Sequence, residues 1–235
     1  MVQNHLKKEV TSIYEMHCEN GNKLLNLRKF EEALKEYNIA IEINPKEARS
    51  HRSKGLTLLF LGRFEDAVKE FDATISLDPK NAGAHAKKGF ALSQLGRYED
   101  AIKEYDSAIK LDPKNVDALN GKGFVLCALG RYEDAIKEYD TVINLDPKDD
   151  YTHNSRGGAL HMLKRYEEAI KEYDVAIELN PKDADFHNNK GLALAELGKY
   201  EDAIAEYDEV AKLNPNDQSY QKNKEKAIKL LTNKK

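Results

Sequence analysis

All six prolines of the chain stand 34 residues apart, at Pro45, Pro79, Pro113, Pro147, Pro181 and Pro215. A strict period of that length marks a repeat array, in which each unit is one supersecondary element and only stacking buries a continuous core. The period constrains the fold more tightly than the length of 235 residues does, because an array grows along one dimension and escapes the usual count of domains by length. It points to an extended binding surface rather than to a reactive centre.

On this period six units run from Tyr14 to Asn216. A glycine column holds Gly21, Gly55, Gly89, Gly123, Gly157 and Gly191, and a leucine follows three residues later in every unit, from Leu24 to Leu194. An alanine column (Ala33, Ala67, Ala101, Ala135, Ala169, Ala203) is followed four residues on by an aromatic one: Tyr37, Phe71, Tyr105, Tyr139, Tyr173, Tyr207. Spacings of three and four place each set on one helix face. Each unit therefore reads as two helices, the second running from a ring (Phe30, Phe64, Tyr98, Tyr132, Tyr166, Tyr200) to the residue before proline. Gly and Ala let the two backbones approach, and the rings fill the space between one pair and the next.

The boundaries agree with that reading. Gly62, Gly96, Gly130 and Gly198 supply the left-handed residue that ends a first helix. Asn or Asp before each proline ends the second. Asn81, Asn115, Asp149, Asp183 and Asp217 are placed to cap the next helix. Acidic pairs such as Glu65-Asp66 and Glu99-Asp100 open the second helices, and their recurrence marks solvated faces with i,i+4 partners rather than acid–base chemistry.

LGRYEDAIKEYD occurs verbatim at 95–106 and 129–140. With the Gly, Leu, Ala, aromatic and Pro columns, the chain resembles the tetratricopeptide repeat (TPR) family over about 200 residues. The resemblance implies an all-α fold: a right-handed TPR superhelix, an α-solenoid of stacked antiparallel helix pairs, with first helices lining a concave groove that holds peptides or partner proteins. The units would be residues 14–47, 48–81, 82–115, 116–149, 150–183 and 184–217, preceded by an extension (1–13) and followed by a basic capping helix (218–235). In that helix, Ala227, Ile228, Leu230 and Leu231 are expected to cover the open edge of the last unit.

The chain departs from the family in three ways. The large aromatic near the start of the first helix is replaced by His17, His51, His85, Leu119, His153 and His187. A metal ladder is one reading of that column. Equivalent points on stacked helices lie roughly 8–10 Å apart, however, whereas ligand nitrogens sit about 2.0–2.1 Å from a shared ion, so the histidines read as packing residues. Arg28 and Lys164 stand where other units have the inter-helix glycine, at a cost of about 1–2 kcal/mol if the left-handed backbone is kept. The fifth unit adds Gly158 inside its first helix, worth roughly another 0.5–1 kcal/mol, which makes it the loosest joint of the array.

Only columns that vary between units can encode a partner. By the family analogy the groove residues are Arg49, Arg52, Leu56, Leu59, Phe60, Phe90, Asn120, Phe124, Tyr151, Asn154, Met162 and Asn188. The apolar members form an interaction patch if exposed, although several of them pack between first helices in the alternative reading. The asparagine row offers donors and acceptors to a peptide backbone. Charge is graded, with Arg49 and Arg52 early and Asp117, Asp185 and Glu196 late. Some TPR domains grip a C-terminal carboxylate with a Lys/Asn set; the corresponding places here hold Cys18, Asn22, Ser53, Gly83 and Lys87, of which only Asn22 and Lys87 fit. Lys54, Lys88, Lys122 and Lys190 read as outer, solvated positions.

The formal net charge of −4 gives no general attraction to nucleic acid, and no apolar run reaches the ~18 residues of a membrane span. The N-terminal MVQNHLKKEVTSI lacks the apolar stretch of a secretory leader. Two cysteines three repeats apart are not expected to pair, which fits a reducing, cytoplasmic setting. Nucleotide-binding, zinc-protease and hydrolase motifs are missing. The sequence thus predicts a non-catalytic scaffold that takes a protein or peptide, with no cofactor, metal, nucleic acid or membrane; a self-associating structural protein is the alternative.

Overall fold

A computed structural model of the chain describes residues 2–215 and 218–233. Among the described residues it holds thirteen α-helices: α1 (Val2–Asn26), α2 (Phe30–Ile43), α3 (Ala48–Phe60), α4 (Phe64–Leu77), α5 (Ala82–Gln94), α6 (Tyr98–Leu111), α7 (Val116–Ala128), α8 (Tyr132–Leu145), α9 (Asp150–Met162), α10 (Tyr166–Leu179), α11 (Ala184–Glu196), α12 (Tyr200–Leu213) and α13 (Ser219–Thr232). The segment ahead of Tyr14 is helical from Val2, continuous with the first helix of the first pair. The chain parts into two compact units between Lys122 and Gly123, inside α7. In the first, α1 to α6 pack consecutively; in the second, α8 to α13 do the same. Connections of three residues inside each pair make its helices antiparallel neighbours.

Each pair is closed by one glycine–ring contact. A Cβ added to Gly21, Gly55, Gly89, Gly123, Gly157 or Gly191 would lie 2.5–3.0 Å from the ring of Tyr37, Phe71, Tyr105, Tyr139, Tyr173 or Tyr207 respectively. Only a residue without a side chain lets the ring lie on the first helix. Those rings are nearly inaccessible to water and sit beside fully buried alanines such as Ala33, Ala101 and Ala203. Tyr105 also reaches the next first helix, where a Cβ at Gly121 would stand 2.5 Å away. Tyr105 therefore serves both contacts expected of the aromatic column.

The helix ends follow backbone chemistry. Gly62, Gly96, Gly130 and Gly198 have φ of +69 to +73°, and Arg28 and Lys164 adopt the same left-handed backbone at +58 and +60°. All close the helix alike, as in Arg63 N–H to Leu58 O at 2.9 Å and Arg165 N–H to Leu160 O at 3.0 Å. The residue before each proline leaves the helical region, for example Asp112 at φ −138°, ψ 96°. Asn81, Asn115, Asp149 and Asp183 accept a backbone N–H of the helix that follows; Asp217 lies outside the described residues.

The histidine column is a set of hydrogen bonds to the second helix of the same pair. Nδ1 of His17, His51, His85, His153 and His187 lies 2.7–2.8 Å from Glu36, Glu70, Glu104, Glu172 and Glu206. One turn after the histidine, Lys54, Lys88, Arg156 and Lys190 bind the other oxygen of that glutamate at 2.5–2.7 Å. Lys88, Lys122, Arg156 and Lys190 also pair with an aspartate of the preceding second helix, Asp72, Asp106, Asp140 and Asp174, at 2.7–2.8 Å. The four lysines expected to be solvated are thus about four-fifths buried, and Lys88 and Lys190 staple neighbouring second helices together. Their long stems cover apolar surface while the heads meet paired carboxylates. The exposed acidic pairs, in contrast, bond at i±3, as Asp66 does to Arg63 and Lys69.

α13 caps α12 with one of the residues expected, Ala227, joined by Tyr220. Ala227 and Tyr220 are buried in the cluster of Leu194, Ala203, Tyr207 and Val210, while Ile228 and Leu230 are exposed. Tyr220, Lys224 and Ala227 fall 34 residues after Phe186, Lys190 and Ala193, and Lys224 pairs with Asp208 as the earlier staples do. Ile228 occupies the leucine column, which in the full pairs is buried by the second helix.

Candidate interaction surface

The side chains expected to meet a partner stand on first helices, where packing demands are met by glycine and leucine and the other faces are free to vary. In the first unit, Phe60 is 64 % exposed at the end of α3 and stacks on Phe30, centroids 5.3 Å apart and planes at 8°. Phe90 on α5 is exposed and meets Phe64 edge-on at 6.4 Å. The rings are held in place from beneath while one face stays wet. Leu56 and Leu59 are instead partly buried against the core of Leu58, Ala67 and Phe71. The alternative reading therefore holds for these two leucines and fails for the phenylalanines.

The charged and amide members are less available than their residue types suggest. Arg49 Nη1 is bound to Glu15 Oε2 at 2.8 Å across 34 residues, and Lys87 to Asp117 at 2.7 Å. Arg52 is exposed and has no ion pair among the described residues. Asn22 accepts the Tyr37 hydroxyl at 2.8 Å, so both residues matching the carboxylate-gripping set are already engaged. Asn120 is half-buried. Sequence reasoning missed these pairings; the Arg49–Glu15 spacing of one full period was the available signal.

In the second unit, Phe124 (53 % exposed) and Met162 (58 %) flank a cavity of about 400 Å³, and Tyr151 is exposed on the first turn of α9. Asn154 is half-buried and its Oδ1 accepts from Asn189 Nδ2 at 3.0 Å. Asn188 Oδ1 is buried without a partner among the described residues. The cavity opens over Gly158, where an added Cβ would have no neighbouring atom within 4 Å beyond its own helix backbone. Its lining includes Tyr132, Tyr139, Tyr173, His161 and Cys127. Burial raises the Cys127 thiol and the Tyr139 and Tyr173 phenols, and lowers the His161 imidazole against the opposing pull of Glu196. All four are neutral near pH 7, so the lining carries no net charge.

Models described as TPR repeat match residues 91–130, 123–164 and 159–198, and models described as tetratricopeptide repeat match 18–82, 70–103 and 184–217. No curated protein matches the chain. Among solved structures, PilF of Pseudomonas aeruginosa is similar at 18 % identity over 93 % of this chain and 99 % of its own, with a TM-score of 0.78. MamA of Desulfovibrio magneticus RS-1 is 23 % identical over 73 % of this chain and 97 % of its own, TM-score 0.68. YrrB, described as a TPR protein with an unusual peptide-binding site, is 22 % identical over 80 % and 97 %, TM-score 0.66. These likenesses establish the fold of stacked helix pairs.

Proposed function

The chain belongs to the tetratricopeptide repeat family, and from that premise we propose that it is a non-catalytic scaffold holding a peptide or partner-protein segment along its first helices. One observation carries the reading. Large apolar side chains that are more than half exposed, Phe60, Phe124 and Met162, stand in first-helix columns that differ from unit to unit. The second helices repeat exposed ion pairs instead, such as Arg97–Asp100 and Arg131–Asp134. Wet aromatic surface in varied positions supplies both the energy and the selectivity of a binding face. Arg52 adds a cation able to take an acidic group.

The test is a peptide selection on the immobilised chain, followed by calorimetry of the selected peptides. Phe60→Glu and Arg52→Glu, both at exposed positions, should weaken binding by about tenfold or more with helicity and melting unchanged. Binding that survives both substitutions overturns the groove assignment. Mass rising with concentration in light scattering, with no peptide retained, favours self-association.

A further inference from the structure

The repeat pattern breaks at one place on the first-helix face. The column that reads Asn22, Leu56, Phe90, Phe124 and Leu192 has no side chain in the fifth unit, where Gly158 stands. The structure does not collapse onto the gap. Open space remains above Gly158, between the exposed rim of Phe124 and Met162 and a floor of the buried Ala159, Tyr139 and Tyr173. We propose that this hollow receives one aromatic side chain with a hydrogen-bonding tip, a tyrosine or tryptophan, presented by the bound segment. The inference rests on the reading that the first-helix face takes a partner.

The lining selects that chemistry. Tyr132, Tyr139, Met162 and Cys127 are among the lining residues, and aromatic and sulfur-bearing side chains make favourable contacts with an aromatic ring, more so than with an aliphatic chain. The void is too large for a short aliphatic group to fill, and unfilled space forfeits dispersion contact. Two polar residues also line the hollow, Ser155 and Asn189, and the Asn189 amide is held in orientation by its bond to Asn154. A phenol or indole tip can bond to them, where an aliphatic side chain would leave them desolvated and unmatched. The neutral walls impose no charge on the occupant. In effect the partner supplies the side chain that the array omits.

The experiment uses the full chain with labelled methionine methyls, titrated with p-cresol and indole and, for comparison, with isopentanol. Met162 stands at the rim, and Met16, in α1 of the other unit, is the internal reference. The Met162 resonance should shift saturably with the aromatic probes and at least about fivefold more weakly with the alcohol, while Met16 stays still. Gly158→Leu, which fills the hollow with a side chain already used at Leu56 and Leu192, should abolish the shift without lowering the melting temperature; Gly158→Ala should weaken it partly. An unmoved Met162 in the parent chain, or equal shifts in Gly158→Leu, overturns the proposal. With selected peptides the two readings separate. Binding lost in Phe60→Glu and intact in Gly158→Leu removes the hollow and keeps the groove, whereas binding intact in both removes the groove itself.

Discussion

The third and fifth helix pairs share almost the same second helix, YEDAIKEYDSAIKL in α6 and YEEAIKEYDVAIEL in α10. In both, the tyrosine ring lies on a first-helix glycine, Tyr105 on Gly89 and Tyr173 on Gly157. Their other halves differ. The third pair turns through Gly96 and carries Phe90 next to its packing glycine; the fifth turns through Lys164 at φ +60° and carries Gly158 there. The same frame thus tolerates a strained turn and an empty position together. The teaching is that ring, alanine and ion staple determine the pair, while the turn and the free face of the first helix are left for other purposes. In the fifth pair about 1–2 kcal/mol of turn strain and roughly 0.5–1 kcal/mol of glycine entropy go into a pair that opens a hollow.

The largest effect tests whether the frames are equivalent. Tyr105→Ala and Tyr173→Ala should each cost about 3–5 kcal/mol in urea unfolding; a difference between them beyond about 1 kcal/mol would break the comparison. The turn comes next. Lys164→Gly should stabilise by about 1–2 kcal/mol and Gly96→Lys destabilise by a similar amount. Hydrogen exchange should be faster in α9 and α10 than in α5 and α6, and the gap should narrow in Lys164→Gly. A smaller effect differs in sign between the pairs. Gly158→Ala should stabilise by about 0.5–1 kcal/mol, since its Cβ meets open space, whereas Gly89→Ala should destabilise because its Cβ would lie 2.9 Å from the Tyr105 ring.

The smallest effect isolates the third pair's ion cluster. Burial alone would raise the Glu104 carboxyl, but the hydrogen bonds from Lys88 and His85 outweigh it and hold the group below its ordinary range. Burial would likewise lower Lys88, and the bonds to Asp72 and Glu104 raise it instead. A depressed acid stabilises the fold above the unfolded pKa of about 4.3 and loses that contribution as pH falls through the folded value. A raised lysine contributes below about 10.4 and loses it as pH rises beyond. Glu104→Gln should therefore flatten the acid limb of melting temperature against pH, and an unchanged limb would show that the cluster carries none of it.

The frame was legible in the sequence because each of its elements recurs: the glycine under the ring, the caps at Asn81 and Asp149, and the left-handed turns, including Arg28 and Lys164. The face was legible only in part. Column position placed Phe60, Phe124 and Met162 correctly in the wet, yet could not tell them from Leu56 and Leu59, whose burial depends on neighbours in the core. Arg49, Lys87 and Asn22 are occupied by residues 15 to 34 positions away, and residue type alone does not reveal such a partner. Gly158 was visible as a stability cost; that its surroundings stay open is a three-dimensional fact. The staple lysines misled because Lys in a repeating polar column ordinarily means solvent.

The last helix has a consequence for engineering. α13 presents Tyr220, Lys224 and Ala227 in the phase of a seventh first helix and docks by the same ring, staple and alanine surfaces. The junction between α12 and α13 is therefore a reusable joint. A copy of residues 184–217 spliced in before position 218 should find both of its mating faces already made, lengthening the protein by one module without redesign.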